Sequence, residues 1–111
     1  MNATIYHNPR CSKSREALRL LEEAGATVTI IDCLKTPPTV AELHRLFARA
    51  GMTARDGLRT SEPDAGHLAD AEEPAILDAM VVNPILIERP LVETDKGVVL
   101  ARPRERVRDI L

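Results

Sequence analysis

The sequence has almost no aromatic side chains. Among 111 residues there is no tryptophan, and Tyr6 and Phe47 are the sole tyrosine and phenylalanine. That excludes a base-stacking platform of the kind single-strand binders use, and leaves the core to aliphatic side chains. A strong charge of either sign is also missing. The net charge of −2 gives no electrostatic case for nucleic acid or an anionic membrane surface. No apolar run approaches membrane-spanning length, and the opening "MNATIYHNPR" lacks the apolar centre of a signal peptide. The expected location is therefore the cytoplasm, where thiols stay reduced. Cysteine is scarce, with Cys11 and Cys33 alone, and no CxxC or HxxxH pairing supports a zinc site. One disulfide between them is formally possible, but a reducing compartment disfavours a structural bridge. Repeats, low-complexity tracts and linkers are absent too. The expectation is a single domain over residues 1–111, long enough for a genuine core.

What is present reads as an α/β pattern. "ATIY" (3–6) is a short β-favouring run closed by the loop "HNPR". From Ser12 to Ala24 the period turns helical, with Ala17, Leu18, Leu21 and Ala24 on one face, and Gly25 falls where a helix ends. "TVTIID" (27–32) is rich in β-branched residues and reads as a second strand. Strand, helix and strand at this spacing make a βαβ unit with parallel strands and a right-handed crossover.

"KTPPT" then breaks the chain, and Thr39 with Glu42 has the form of a capping box. The helix it opens carries Leu43, Leu46, Phe47 and Ala50 inward and stops at Gly51. Residues 52–73 read as short helices and loops around Leu58 and Leu68. Pro74 marks the first turn of another helix, bearing Ile76, Leu77, Met80 and Val81 and ending before Asn83-Pro84. "ILIERP", "LVET", the turn "DKG" and "VVLA" together read as an antiparallel hairpin. Pro103 opens a last helix with Val107, Ile110 and Leu111 inward. The order β-α-β, helical insertion, β-β-α is thioredoxin-like, with a mixed four-stranded sheet expected.

This order gives Cys11 a physical meaning. It stands where the first strand passes into the first helix, among His7, Arg10, Lys13, Ser14 and Arg15. Unpaired N–H groups and the helix dipole there favour an anion, and nearby cations lower a thiol's pKa. The same N–H groups suit an incoming oxyanion. Cys11 is thus either a nucleophilic thiolate beside an anion pocket or a small residue filling a tight turn, and its position favours the first. Spacing excludes two familiar motifs. A dithiol oxidoreductase needs cysteine where Ser14 stands, and a Cys-x5-Arg phosphatase loop does not match, since Arg15 follows after three residues. A resolving thiol must then come from elsewhere, most simply glutathione or a partner protein. Cys33, closing "IIDC", reads as a packing residue. His44 and His67 read as ordinary surface residues, whereas His7 shares the Cys11 loop and is a candidate to tune the thiolate.

"YHNPRCSKSR", "NPILIERPLV" and "ARPRERVRDIL", with "KTPPTVAEL" and "GLRTSEPD", resemble the glutaredoxin-coupled arsenate reductase family of the ArsC type over essentially the whole chain. The chain is most similar to the branch with "HNPRCSKSR" in place of a "CGTSR" form. The resemblance implies a thioredoxin-like fold with a helical insertion. It assigns the nucleophile to Cys11, the preceding histidine to His7, and a thiolate hydrogen-bond donor to Ser14. It places the oxyanion-binding arginines at Arg59, Arg89 and Arg102, and a cis-proline at Pro90. The implied reaction is attack of the Cys11 thiolate on arsenate with loss of water or hydroxide. Glutathione then attacks the adduct, glutaredoxin removes the glutathione, and arsenite leaves. No metal or bound cofactor is implied; glutathione is a co-substrate, and the implied partners are arsenate, glutathione and glutaredoxin, with neither nucleic acid nor membrane. Lys13 is an added cation relative to the "CGTSR" form.

Two other functions fit the same fold. One is a glutathione-dependent thiol or oxyanion oxidoreductase with a different physiological substrate. The other is a regulator that binds RNA polymerase, although such regulators typically carry a CxxC switch and lack the full arginine set.

Overall fold

A computed structural model describes residues 1–111, which fall into two compact units. The first joins Met1–Thr36 to Arg89–Leu111; the second is Pro37–Glu88.

The first unit is built on strand β1 (Asn2–His7), helix α1 (Ser12–Glu23), strand β2 (Thr27–Asp32) and the hairpin β3 (Leu91–Thr94) and β4 (Gly97–Leu100). The sheet order is β2-β1-β3-β4, with β1 parallel to β2 and antiparallel to β3, and β3 antiparallel to β4. This is the mixed thioredoxin-like sheet expected from the element order. β1 runs one residue further than anticipated, so His7 is its last residue, opposite Asp32, and does not belong to the following loop. Ala3, Ile5 and Val92 of the sheet pack with Ala17 and Leu21 of α1 and with Val107 and Ile110 near the end of the chain. All but Ile110 are no more than 2% exposed, so each side chain of leucine size contributes on the order of 1.5–3 kcal/mol. Ala24, expected inward, is exposed because it lies past the last helical residue, and Gly25 reverses the chain at φ +80°.

Two expectations need correction here. The segment after Pro103 is a 3-10 helix, Arg104–Ile110, whose buried Val107 and Ile110 are three residues apart, the 3-10 repeat. "ILIERP" adds no strand to the hairpin: Pro84–Leu86 is a 3-10 turn, and prolines at both ends remove ladder donors. The Arg89–Pro90 peptide bond is cis, as the resemblance implies, and so is Arg102–Pro103.

The second unit holds α2 (Val40–Ala50), a 3-10 turn (Pro63–Leu68) and α3 (Glu73–Val82). Both halves of the Thr39–Glu42 capping box are made, and Gly51 closes α2 in the left-handed conformation. Leu43, Leu46 and Phe47 are buried, as are Ile76, Leu77 and Met80 of α3. A Cβ built on Gly57 would stand 2.5 Å from the Phe47 ring, so only glycine fits there. No helix of the chain is long and apolar enough to cross a membrane.

Candidate active site

Cys11 is the N-cap residue of α1, in extended backbone conformation (φ −92°, ψ 120°). Helix caps usually carry a hydroxyl or carboxylate to receive the first free N–H groups; here a thiol takes that place. The first turn contains no acidic residue, so nothing competes with the sulfur for the positive end of the helix. The neutral thiol closes no full cap hydrogen bond. The Ser14 and Lys13 N–H groups nonetheless lie close enough to favour its anion.

The balance of forces on the sulfur follows directly. Partial burial pushes the thiol pKa up, but the Ser14 N–H, the Arg89 side chain and the Lys13 N–H outweigh it, and the Arg89 charge adds to them. The net result is a pKa below that of an ordinary cysteine. Arg89 enters from the residue before the cis-proline Pro90, which is itself fully buried.

The loop leading to Cys11 is fixed by its own polar groups. The Cys11 N–H donates to the Asn8 carbonyl (3.0 Å), and the Arg10 N–H to the Asn8 side-chain oxygen (2.9 Å). The Arg15 guanidinium donates to the Pro9 carbonyl (2.8 Å). Beneath the loop, the Ser14 hydroxyl is fully buried, 2.7 Å from His7 Nδ1, and accepts the Asn8 N–H at 3.1 Å. The hydroxyl of Ser14 is therefore committed to His7 and Asn8, and its backbone N–H is the part that addresses the thiolate. Burial lowers the His7 pKa; Asp32, opposite it on β2, raises it, and Arg15 lowers it further. The net lowering favours the neutral ring, and its Nδ1 shares one hydrogen bond with the Ser14 hydroxyl.

The structure thus brings His7, Cys11, Ser14 and Arg89 together. Arg102 follows β4 in the same unit and lines a groove with Lys13. Arg59 belongs to the other unit, where it pairs with Glu62 (3.3 Å) and Glu88 (3.2 Å). Its backbone is held by the Leu58–Ile87 bridge and by its own N–H on the Leu86 carbonyl. Cys33 is buried and in no disulfide, and its N–H donates to the His7 carbonyl (3.0 Å). No group of three or more His, Cys, Asp or Glu side chains is arranged to hold a metal. Sequence reasoning missed Asn8, although Asn-Pro is a recognised turn signal and Asn side chains often bond the backbone two residues on.

A four-stranded thioredoxin-like sheet presenting one lone, acidified cysteine at a helix N-terminus defines a class of single-thiol proteins. Comparison with known proteins places the chain within that class. The ArsC family model matches residues 6–110, and the chain belongs to the ArsC family. It is 48% identical to an arsenate reductase of Synechocystis sp., over 96% of this chain and 79% of that one. It is 43% identical to an arsenate reductase of Escherichia coli, over 99% of this chain and 81% of the relative. The solved arsenate reductase of Vibrio cholerae superposes with a TM-score of 0.94 at 40% identity, covering all of this chain and 98% of that one.

Proposed function

We propose that this protein is an oxidoreductase that reduces arsenate to arsenite through Cys11, with glutathione and glutaredoxin as the reducing system. The observation that carries the reading is the acidified Cys11 with Arg89 beside it: a nucleophile and a cation where an oxyanion must dock. The names of the relatives supply the oxyanion.

The chemistry needs only thiols and cations. Arsenate, a phosphate-like dianion, sits against the planar fork of Arg89 with Arg102, and the resemblance gives Arg59 the same task. The Cys11 thiolate bonds to arsenic, and one arsenate hydroxyl leaves as hydroxide, or as water once it takes a proton from solvent; arsenic stays at +5. Glutathione then attacks the Cys11 sulfur. The S–As bond breaks with its electron pair on arsenic, which leaves as arsenite at +3. The two thiols are left joined as a mixed disulfide. A glutaredoxin thiol takes over the glutathione and frees Cys11. In this reading Ser14 holds His7, and His7 with the helix N-terminus keeps the sulfur site polar and ordered. Two cysteines outside any disulfide suit a reducing compartment such as the cytoplasm.

The reductant is tested by arsenate-dependent NADPH oxidation with two regenerating systems. Turnover with glutathione, glutaredoxin and glutathione reductase, and none with thioredoxin and its reductase, is expected. Equal turnover with thioredoxin would overturn the glutathione assignment.

A further inference from the structure

Next to the site, within the same unit, lies an open groove of about 470 Å3 lined by Lys13, Glu16, Arg102, Pro103, Arg104 and Glu105. Its size falls in the roughly 300–1,000 Å3 range of small-molecule sites. One wall is the first turns of α1, and the other is the segment that follows β4. Lys13 ties the groove to the nucleophile, since its backbone N–H faces the Cys11 sulfur while its side chain lines the groove.

The lining is not that of a simple anion site. It sets three cations beside two carboxylates. A lone oxyanion gains nothing from Glu16 and Glu105, which would repel it. A small zwitterion with two carboxylates and one ammonium uses both signs. Two internal ion pairs, Lys13–Glu16 at 3.9 Å and Arg104–Glu105 at 3.4 Å, occupy these charges without a ligand. All four side chains are 41–53% exposed, and such pairs are worth only about 0–1 kcal/mol. A ligand can therefore exchange them at little cost. The Glu105 carboxyl is held below the usual range, first by its own backbone N–H, against an opposing effect of burial, with Arg104 and Arg108 adding to the lowering.

We infer that this groove docks the reducing thiol, a zwitterionic thiol peptide of the glutathione type, and that Lys13 and Arg104 determine specificity by holding its carboxylates. The inference rests on the thiol-dependent reading above and names the site of its second step.

The first measurement leaves arsenate out, and the second is arsenate turnover by the same variants. In a Cys33→Ser background, Cys11 is converted to its mixed disulfide with thionitrobenzoate. Thionitrobenzoate release is then followed with glutathione and, separately, with uncharged 2-mercaptoethanol. In each case the incoming thiolate bonds to the Cys11 sulfur and thionitrobenzoate leaves with the electron pair, so no outside oxidant or reductant is needed. The expected result is that Lys13→Gln with Arg104→Gln slows glutathione about tenfold, the loss of roughly 1.4 kcal/mol of charge-assisted contact. The 2-mercaptoethanol rate should change less than twofold. Added salt should slow glutathione selectively in the wild type and not in the double variant. Equal slowing of both thiols, or an unchanged glutathione rate, would overturn the proposal. So would a double variant whose KM for arsenate rises while its KM for glutathione does not, because the groove would then serve the oxyanion. Loss of arsenate turnover with intact glutathione preference would instead sink only the arsenate assignment.

Discussion

The two compact units use the same residue types for different ends. The Cys11 unit carries 11 Lys and Arg against 8 Asp and Glu, whereas the Pro37–Glu88 unit carries 4 against 9. The near-neutral chain therefore hides a cationic unit and an acidic one. Their arginines differ in the same way. In the acidic unit, Arg55 donates to the carbonyls of Ala69 and Ala71 and so staples the irregular stretch before α3. Arg59 is matched by two carboxylates. In the cationic unit, Arg89 addresses the Cys11 sulfur, and Arg102 and Arg104 line an open groove. The two clearest cases differ in partner: Arg55, bonded to carbonyls, holds the backbone in place, whereas Arg89, beside the Cys11 sulfur, acts on the nucleophile.

The comparison can be broken first at the level of packing. Leu21 and Leu43 are fully buried, one in each unit. Truncation of either to alanine should cost about 2–5 kcal/mol by urea unfolding. A cost below about 1 kcal/mol at one of them would show that its unit has no tightly packed core of its own. The arginine contrast is tested by a pair of substitutions with crossed readouts. Arg55→Ala should lower stability by about 1 kcal/mol through its lost bonds to carbonyls, and leave the pH dependence of Cys11 alkylation where it was. Arg89→Gln should move that dependence upward, since it removes both a hydrogen bond to the thiolate and a positive charge. A Cys11 profile that responds to Arg55→Ala and ignores Arg89→Gln would reverse the assignment.

Smaller effects belong to pH. Because the Cys11 pKa is lowered, its alkylation should reach half-maximum below the free-thiol value of about 8.5, and slow as pH falls through that lowered pKa. A half-maximum at or above that value would remove the helix-terminus argument. The sign for His7 runs the same way. Its folded pKa lies below the unfolded value, so its contribution to stability is full above about 6.5 and is lost as pH falls through the folded pKa. His7→Gln should flatten that part of the stability profile, and an unchanged profile would show that His7 is not its source.

Much of this was legible in the sequence, and the boundary is physical. β1, α1, β2 and the capped α2 are written in local chemistry: β-branched runs, a three-and-four repeat, Thr39 with Glu42, glycines at helix ends. Cys11 was legible because its meaning depends only on where a strand meets a helix. The 3-10 form of Arg104–Ile110 was not, because a run of seven residues fits either helix until packing selects the three-residue spacing of Val107 and Ile110. The failure of "ILIERP" to join the sheet had a local cause in its flanking prolines that its apolar pattern outweighed. The turn of the Ser14 hydroxyl toward His7 was also hidden, since it depends on His7 being the last residue of β1 and not part of the loop. The groove between residues 13–16 and 102–105 is a tertiary juxtaposition with no trace in either segment alone. Among the arginines, composition could not separate Arg89 and Arg102 from the rest; the family resemblance did.

The most direct test of the account compares wild type, Cys11→Ser and Cys33→Ser in arsenate-dependent NADPH oxidation with glutathione, glutaredoxin and glutathione reductase. The account predicts turnover in the wild type, near-normal turnover in Cys33→Ser, and a fall to background in Cys11→Ser with its fold intact by circular dichroism. Turnover that survives in Cys11→Ser, or that is lost equally in a folded Cys33→Ser, would contradict it, because Cys11 would then not be the sole thiol that carries the reaction.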